Sequence, residues 1–499
     1  MEVVSLLCGK AKPPVAGPWI IPEYFIKTKQ KIVNFILKRV CYDCNVRAFN
    51  NRKGRTELKK KTKLAISALL ITGLLAGCGN SGGGNSSAEG NSSGTKSEKV
   101  TLTFWRNSGN DTENAAYDKL VASFNESHPD IKVEMSPIPY ADYDTKLRTS
   151  IASGNPPDIM AIDAPNMASY AQAGALQPLT EYFKKDGNLE DIPESTIKTY
   201  TYKNEIYMAP LTESSIALFY NKKMFEAKGI PLPSKNPDEP ITWDQVLEAA
   251  QKLNDPGKGV YGIDPAQGFG NAGGTAYFKY PIIWQFGGDI MSPDGTTSKG
   301  YLDKPETKKA LQFFSDLYNK SKVSSLEYPP DPFPNNQLAM TIDGSWSLGN
   351  YADKFPNFKL GVDYDIAPLP KETQQAVANG SWALAVSAKS KNPEAAWQFV
   401  NYVTGAEGSK TYCSMTKDIP ARYSVAKQFP ELNEYPKNIF VVQNQKYGRP
   451  RPITPIFPQM SEAVNKMIEE VTISGRNVDA AVADAITKID KAYADLPQK

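Results

Sequence analysis

Apolar and polar residues alternate along much of the chain in a strand pattern that repeatedly gives way to a helical one. In "VTLTFW", Val100, Leu102 and Phe104 recur at every second position, which predicts a strand. The following "ENAAYDKLVASFNESHP" spaces its large apolar residues for one face of a helix and ends at Pro129. Because strands and helices keep alternating to the end of the chain, we expect an α/β fold that binds ligands at the ends of its strands.

A different pattern lies upstream of this body. The apolar run from Leu64 to Ala76 has 13 residues, whereas a membrane-spanning helix needs about 20. Lysines precede the run and small residues follow it, as in a secretory signal peptide. The run closes in "LAGC", which resembles the lipobox of bacterial lipoproteins, with Cys78 as the thiol that receives lipid. We therefore expect export and anchoring through acyl chains such as palmitate, against the alternative of an ordinary signal peptide with a chance cysteine.

The N-terminal region divides into three predicted segments. Residues 1–57 contain no methionine after Met1, and we interpret them as a mis-assigned extension, with translation starting at Leu58. Residues 58–77 form the predicted lipoprotein signal peptide. Residues 78–99 are rich in Gly, Ser and Asn and have little to bury, so they predict a disordered tether.

The net charge changes once this region is set apart. The whole chain has 57 Lys and Arg and 54 Asp and Glu residues, a formal charge of +3. Residues 1–77 hold 15 of the basic and 4 of the acidic residues, so the remainder carries 42 and 50 and a charge of about −8. An acidic mature protein lacks the basic footprint that nucleic-acid binding requires, so we expect no nucleic-acid partner.

The side chains needed for several kinds of catalysis are scarce. His128 is the only histidine and lies at a predicted helix end, where a solvated or capping role fits it better than catalysis. The sequence has no phosphate-binding loop of the GxxxxGK[ST] type and no histidine-rich metal site. We therefore expect no cofactor and no metal. Cys413 has no partner if Cys78 is acylated, and it should be a small core or half-buried residue.

Aromatic side chains fall beside predicted strand ends and in one cluster. The candidates for stacking on a sugar ring are Trp105, Trp346 and Trp382 beside strands, and Tyr277, Tyr280 and Trp284 in "AYFKYPIIWQFGG". Asp163 and Glu213 occupy similar positions and could accept hydrogen bonds from sugar hydroxyls. Taken singly, each aromatic residue is more often part of a core. A pair of carboxylates also leaves a glycosidase open as an alternative.

Several segments together resemble the extracellular solute-binding proteins of carbohydrate ABC transporters, the family that includes maltose-binding protein. The resemblance spans nearly all of residues 100–499. It is carried in order by "PDIMAIDAPNMASYAQAGALQPL", "IYMAPLTESSIALFYNKKMFEAKGI" with "TWDQ", "YPIIWQFGGDI", "AMTIDGSW" and "PQMSEAV" with "SGRNVDAAVADA". The family implies a two-lobe α/β fold of the periplasmic-binding-protein type, with discontinuous lobes, hinge strands and an interlobe ligand cleft. Lobe 1 would comprise residues 100–212 and 381–424, and lobe 2 residues 213–380 and 425–499.

The resemblance also suggests which side chains meet the ligand. Trp105, Asn107, Tyr277, Tyr280 and Trp346 stand at matching positions, and Asp163 lies close to a matching loop. The acidic position after "YMAP" falls on Glu213, or on Ser214 if the alignment carries one gap. Val464 stands where maltose binders place a tryptophan, so one stacking platform is missing, and Trp382 is the candidate to replace it. Trp284 joins the set from its position in the aromatic cluster. The expected ligand is therefore a carbohydrate whose identity stays open, with maltodextrins, xylo-oligosaccharides and pectic oligosaccharides among the possibilities.

Together these features predict a lipid-anchored substrate-binding protein without enzymatic activity. It would capture a sugar at the extracytoplasmic face of the bacterial cell membrane, as a monomer attached to the membrane by its lipid alone. It would deliver the sugar to two ABC permease subunits served by a cytoplasmic ATPase. The alternatives are a secreted carbohydrate-active enzyme and a sugar-sensing subunit of a membrane receptor.

Overall fold

The computed structural model describes residues 99–265 and 272–497. The predictions made for residues 1–98, including lipidation of Cys78, lie outside the described residues. Within the described ranges, every helix is too short or too polar to cross a membrane. The same residues contain no cluster of His, Cys, Asp or Glu side chains suited to a metal ion.

Short strands recur from one end of the described chain to the other. They are β1 Val100–Ser108, β2 Ile131–Pro139, β3 Ile159–Asp163, β4 Thr201–Tyr202, β5 Glu205–Ile206, β6 Ala209–Pro210, β7 Thr212–Glu213, β8 Ile216–Tyr220, β9 Met340–Gly344, β10 Asp365–Ala367, β11 Val377–Asn379, β12 Trp382–Val386, β13 Ile419–Pro420 and β14 Gly448–Pro450.

The α-helices lie between and around these strands. They are α1 Asp111–Ser127, α2 Tyr140–Ala152, α3 Met167–Gln172, α4 Thr180–Tyr182, α5 Glu194–Thr199, α6 Lys222–Ala227, α7 Trp243–Leu253, α8 Ala272–Gln285, α9 Pro305–Asn319, α10 Ser347–Lys354, α11 Pro393–Thr404, α12 Ala406–Thr416, α13 Tyr423–Ala426, α14 Lys437–Tyr447, α15 Phe457–Ile473 and α16 Val478–Ala494.

The first sheet has five strands in the order β2-β1-β3-β12-β6. β1 runs parallel to β2 and β3, and β12 runs antiparallel to β3 and β6. The predicted strand at "VTLTFW" is confirmed and extends to Ser108. The predicted helix after it is also confirmed, and Asn110 and Glu113 form a capping box at its start. Since β12 comes from a distant part of the sequence, this lobe is built from discontinuous segments.

The second sheet has three strands in the order β10-β8-β9. Both of its strand pairs are antiparallel. Alternation of strands and helices along the sequence does not reveal this direction, because β8 is separated from both of its neighbours by more than a hundred residues. β9 nevertheless ends at Gly344, two residues before Trp346, so the segment "TIDGSW" places its tryptophan beside a strand end as expected.

Each sheet has its own hydrophobic core. Buried residues of β1, α1, β3, β12 and α11 surround the five-stranded sheet, and those of β8, β9, α8, α9 and α15 surround the three-stranded sheet. The described chain passes from one core to the other within residues 211–216, 378–383 and 413–419. The structure thus has two lobes, while the exact lobe limits given above stay a prediction.

Several smaller predictions have a clear outcome. Cys413 is 1% exposed and packs in the first core, as expected. His128 follows the last residue of α1 and stacks on Phe124 at 4.1 Å between ring centroids, so it lies at a helix end. The sequence near the C-terminus also predicts two helices broken at Ser474 and Gly475, and α15 and α16 confirm this prediction.

Candidate ligand-binding cleft

A cleft with a volume of about 680 Å³ lies between the two sheets. One wall is formed by the carboxyl ends of β1 and β3, which contribute Asn107 and Asp163. The opposite wall comes from α8, β9 and α10. Residues 211–214 and 380–382, where the chain passes between the cores, line the cleft as well. The cleft therefore borders both lobes and the segments that connect them.

Asp163 is held in the cleft by an arginine from a distant segment. Arg451 donates from both terminal guanidinium nitrogens to the two carboxylate oxygens of Asp163, at 2.7 Å each. The guanidinium also lies 4.9 Å from the centroid of the Tyr277 ring. Arg451 is 4% exposed, so this is a buried bidentate ion pair. The sequence did not identify Arg451, which follows β14 in the proline-rich stretch "GRPRPITP" and has no periodic pattern around it.

Glu213 and Ser214 are engaged where the chain crosses between lobes. The Thr196 hydroxyl donates to Glu213 at 2.5 Å, and the Asn444 amide donates to its other carboxylate oxygen at 3.2 Å. Burial raises the pKa of Glu213, and these two hydrogen bonds oppose the shift. Ser214 lies 2.7 Å from the Tyr277 hydroxyl and donates to the Gly380 carbonyl at 3.1 Å. Both residues thus brace the crossing segments as well as line the cleft.

Trp346 lies on the wall contributed by the second lobe. Its ring is 6.0 Å from the Tyr277 ring and 6.4 Å from the Phe278 ring, measured between centroids. A Cβ added at Gly344 would come within 2.3 Å of the indole, so only glycine at this position leaves room for the ring. The indole is part of the cleft lining. Its position gives the second lobe an aromatic platform.

Trp382 lies on the opposite wall, in the first lobe. It is the first residue of β12, so it lies at a strand end as expected, although at the amino end rather than the carboxyl end. Because β12 is antiparallel to β3, Trp382 pairs with Asp163 and still reaches the cleft edge of the sheet. Its ring is 5.6 Å from Tyr143 and 6.1 Å from Tyr140 between centroids. The two tryptophans thus line the cleft from different lobes.

Three of the predicted ligand-binding residues do not line this cleft. Trp105 lies two residues before Asn107 on β1 and packs beside α2, with the Lys146 ammonium 5.0 Å from its ring centroid. Tyr280 and Trp284 are buried in the second core, because α8 runs from the cleft into that core. The structure brings together the other six of the predicted set, namely Asn107, Asp163, Glu213, Tyr277, Trp346 and Trp382. Their contact with ligand stays a prediction.

One end of the cleft contains interacting acidic groups. Asp418 follows α12, and burial together with the nearby Glu113 raises its pKa to about 7. Burial also raises the pKa of Glu113, although the backbone of Asn110 and the charge of Arg106 oppose that shift. Arg106 is 2% exposed and donates from both terminal nitrogens to the Asn114 side chain at 2.8 and 2.7 Å. Near neutral pH, Asp418 can therefore either donate or accept a hydrogen bond.

Replacing Asp418 with asparagine is expected to change how stability depends on pH. The folded protein holds a proton on Asp418 up to a pKa of about 7, whereas the unfolded chain loses it near 3.8. The free energy of unfolding of the natural protein therefore falls as pH rises through this window. Urea titrations should show the Asp418→Asn variant gaining at least ~1 kcal/mol over the natural protein between pH 5 and pH 8. Asp142→Asn, at an exposed position on α2, is the control, and an equal pH response of both variants would contradict the assignment.

Comparison with known proteins identifies the family. The model of the bacterial extracellular solute-binding protein family matches residues 108–410. The chain belongs to this family. The maltotriose-binding protein of Pyrococcus abyssi is 27% identical over 312 residues, a match that spans 61% of this chain and 62% of that relative. The arabinooligosaccharide-binding protein of Bacillus subtilis is 28% identical over 399 residues, which cover 76% of this chain and 84% of the relative.

Solved solute-binding proteins share the same architecture. An ABC transporter solute-binding protein of Thermotoga lettingae bound with α-D-tagatose aligns with a TM-score of 0.70 and 28% identity, over 79% of this chain and all of that one. An ABC substrate-binding protein of Listeria monocytogenes in complex with cycloalternan aligns with a TM-score of 0.69 and 26% identity, over 79% and 99%. The predicted two-lobe fold is confirmed by these neighbours.

The cleft of this solute-binding protein is rich in carboxylates. Its lining includes seven acidic side chains and three basic ones: Glu113, Asp163, Glu213, Asp264, Asp331, Asp343 and Asp418, with Arg106, Lys354 and Arg451. Arg451 is paired with Asp163, and Arg106 is bonded to Asn114. Asp343 accepts from the Tyr351 hydroxyl and the Gly344 amide at 2.8 Å each. The cleft can therefore accept many hydrogen bonds from a ligand, while it offers few cations to an anion.

Proposed function

We propose that the protein binds a neutral oligosaccharide as the lipid-anchored, substrate-binding component of an ABC importer. The observation that carries the proposal is the cleft between the lobes, lined by Trp346 and Trp382 on opposite walls and by several carboxylates. The flat face of an indole suits the C–H face of a pyranose, and carboxylate oxygens accept hydrogen bonds from its hydroxyls. The sugar-binding relatives named above support the same class of ligand.

The charge of the cleft favours neutral over acidic sugars. Seven acidic side chains face three cations, and one of those cations, Arg451, is already paired with Asp163. A uronate entering this cleft would lose hydration and meet like charges, both of which raise its free energy. The charge of the cleft therefore disfavours the binding of acidic pectic oligosaccharides. The neutral malto- and xylo-oligosaccharides remain as candidate ligands.

A receptor role accounts for the carboxylates better than a glycosidase role does. The two acidic residues considered for catalysis are committed to protein partners, Asp163 to Arg451 and Glu213 to Thr196 and Asn444. A glycosidase needs one carboxyl free to protonate the leaving oxygen and a second free to act as base or nucleophile. We therefore propose that the bound sugar is released unchanged to the permease subunits, with the proposed Cys78 anchor keeping the receptor close to them.

A panel of oligosaccharides tests the ligand class. Maltotriose, xylotriose, arabinotriose and trigalacturonate are added separately while thermal unfolding is followed and the recovered sugar is analysed. A neutral member present at 100 times its Kd should stabilise the protein by about 2.7 kcal/mol and be recovered intact. Trigalacturonate should give no shift. Turnover of any sugar would contradict the receptor role, and stabilisation by trigalacturonate alone would contradict the charge argument.

A further inference from the structure

A second, mostly apolar groove of about 470 Å³ lies against the face of α10 that points away from the cleft. We refer to it as the α10 groove. Its lining consists of Leu348, Gly349, Ala352, Phe355, Pro356, Phe358, Lys359, Leu360, Tyr364, Lys417, Pro436 and Lys437. The cleft, by contrast, receives Ser347, Asn350, Tyr351 and Lys354 from the same helix. With 3.6 residues per turn, these two sets occupy opposite faces of α10, so one helix separates the two cavities.

The α10 groove is positively charged at its edge. The charged residues of its lining are all lysines, namely Lys359, Lys417 and Lys437, and the lining contains no carboxylate. Burial lowers the pKa of Lys437, the charge of Glu431 opposes this shift, and the charge of Lys417 adds to it. Lys437 lies 3.6 Å from the Glu431 carboxylate, and Lys417 donates to the Ser414 carbonyl at 2.7 Å. The lining itself still holds three lysines and no carboxylate, so an anionic side chain entering the groove would be attracted while its apolar neighbours covered the floor.

The α10 groove also lies where elements of the two lobes meet. Lys417 caps α12, whose Cys413 packs in the first core, whereas Phe358 and Tyr364 of the groove pack with Phe219 of β8, a strand of the second lobe. A Cβ at Gly349 would lie 3.7 Å from the Thr416 carbonyl, so α10 and the end of α12 are neighbours. Thr112 of α1 also donates to Asp353 of α10 at 3.2 Å. A relative movement of the lobes would therefore change the shape of this groove.

We propose that the α10 groove docks an acidic, apolar segment on the extracytoplasmic face of the protein's own transporter. The inference rests on the proposed function, because it assumes a transporter that receives the sugar. The apolar floor would bury the partner's hydrophobic residues, and Lys359, Lys417 and Lys437 would pair with its carboxylates. Since α10 forms one wall of both cavities, the partner would contact the helix that carries the cleft residues Asn350 and Tyr351.

Charge introduced on the groove face tests this docking. Ala352 and Lys359 are exposed, line the groove and do not line the cleft. The full-length protein with Ala352→Glu and Lys359→Glu is expressed in its native host in place of the natural protein, and uptake of a labelled neutral oligosaccharide is measured. The matched control carries Ala483→Glu and Lys488→Glu at exposed positions of α16. The groove variant should lose at least tenfold in uptake rate, while the control stays within twofold of the natural protein.

Sugar affinity separates this proposal from the proposed function. The Kd of each purified protein is measured first, and both variants should stay within twofold of the natural protein. Unchanged uptake by the groove variant would overturn the docking proposal and leave the receptor role intact. Failure of the natural protein to bind any sugar would overturn the proposed function, and the docking proposal with it, before any variant is tested.

Photo-crosslinking identifies the occupant directly. A benzophenone amino acid replaces Ala352 in one protein and Ala483 in another, and both are irradiated in host cells. A crosslink from position 352, and not from 483, to a membrane subunit of the transporter would support the proposal. Crosslinks from position 352 to lipid only, or to a second copy of this chain only, would overturn it.

Discussion

Replacing Arg451 with methionine is expected to lower the free energy of unfolding by about 3–5 kcal/mol. Methionine keeps much of the side-chain length but removes both hydrogen bonds to Asp163, each of 2.7 Å. The carboxylate would then remain in a largely buried position without its counter-ion, because the Asp163 side chain is only 14% exposed. Leaving one charge of a buried pair uncompensated costs far more than losing a pair at the surface. Urea titration, with a comparison of m-values, measures the difference.

Arg449 offers a matched control two residues away. It pairs with Asp289 at 2.9 Å, but its side chain is 38% exposed, so Arg449→Met should cost no more than about 1 kcal/mol. The double variant Arg451→Met with Asp163→Asn should be more stable than Arg451→Met alone, because it removes the orphaned charge. If Arg451→Met costs no more than Arg449→Met, the buried pair does not brace the cleft in the way described.

Replacing Trp346 with alanine is expected to weaken sugar binding by roughly 1–3 kcal/mol, about 5- to 150-fold in Kd. The indole is part of the cleft lining and is supported by Tyr277, Phe278 and the bare backbone of Gly344. Its removal would delete the aromatic platform of the second lobe and leave the walls around it in place. Calorimetric titration with the neutral sugar that gives the largest thermal shift measures the loss.

A substitution at Trp105 distinguishes the site predicted from the family resemblance from the cleft seen in the structure. The resemblance to the family predicts it as a ligand contact, whereas the structure packs it beside α2, outside the cleft lining. Trp105→Ala should therefore change the Kd by less than threefold in protein that is shown to be folded. A larger loss from Trp105→Ala than from Trp346→Ala would mean that the sugar occupies a different part of the first lobe.

The local pattern of apolar and polar residues predicted individual strands and helices, but not how distant strands pair. The alternation at Val100 to Phe104 and the apolar stripe after it identify β1 and α1, because one face of each packs in a core. The pair of C-terminal helices was visible for the same reason. The direction of the second sheet was not visible, since its pairing depends on segments more than a hundred residues apart.

The residues of the candidate site likewise differ in whether the local sequence pattern could predict them. Asp163 ends one strand and Trp346 closely follows another, so their place beside the cleft could be expected. Arg451 could not, because its partner Asp163 lies 288 residues earlier in the chain. The prediction that Trp284 contacts the ligand is not supported for another reason. A helical stripe of aromatic residues has the same sequence pattern whether it faces a ligand or a core, and Trp284 faces the core.

A crystal structure of the protein with the neutral oligosaccharide that stabilises it most would show whether the cleft is the sugar site. We expect an intact sugar between the lobes, with one ring on Trp346, another near Trp382, and hydroxyls donating to carboxylates of the cleft. A sugar bound outside this cleft, or a cleaved product within it, would rule out the proposed receptor site.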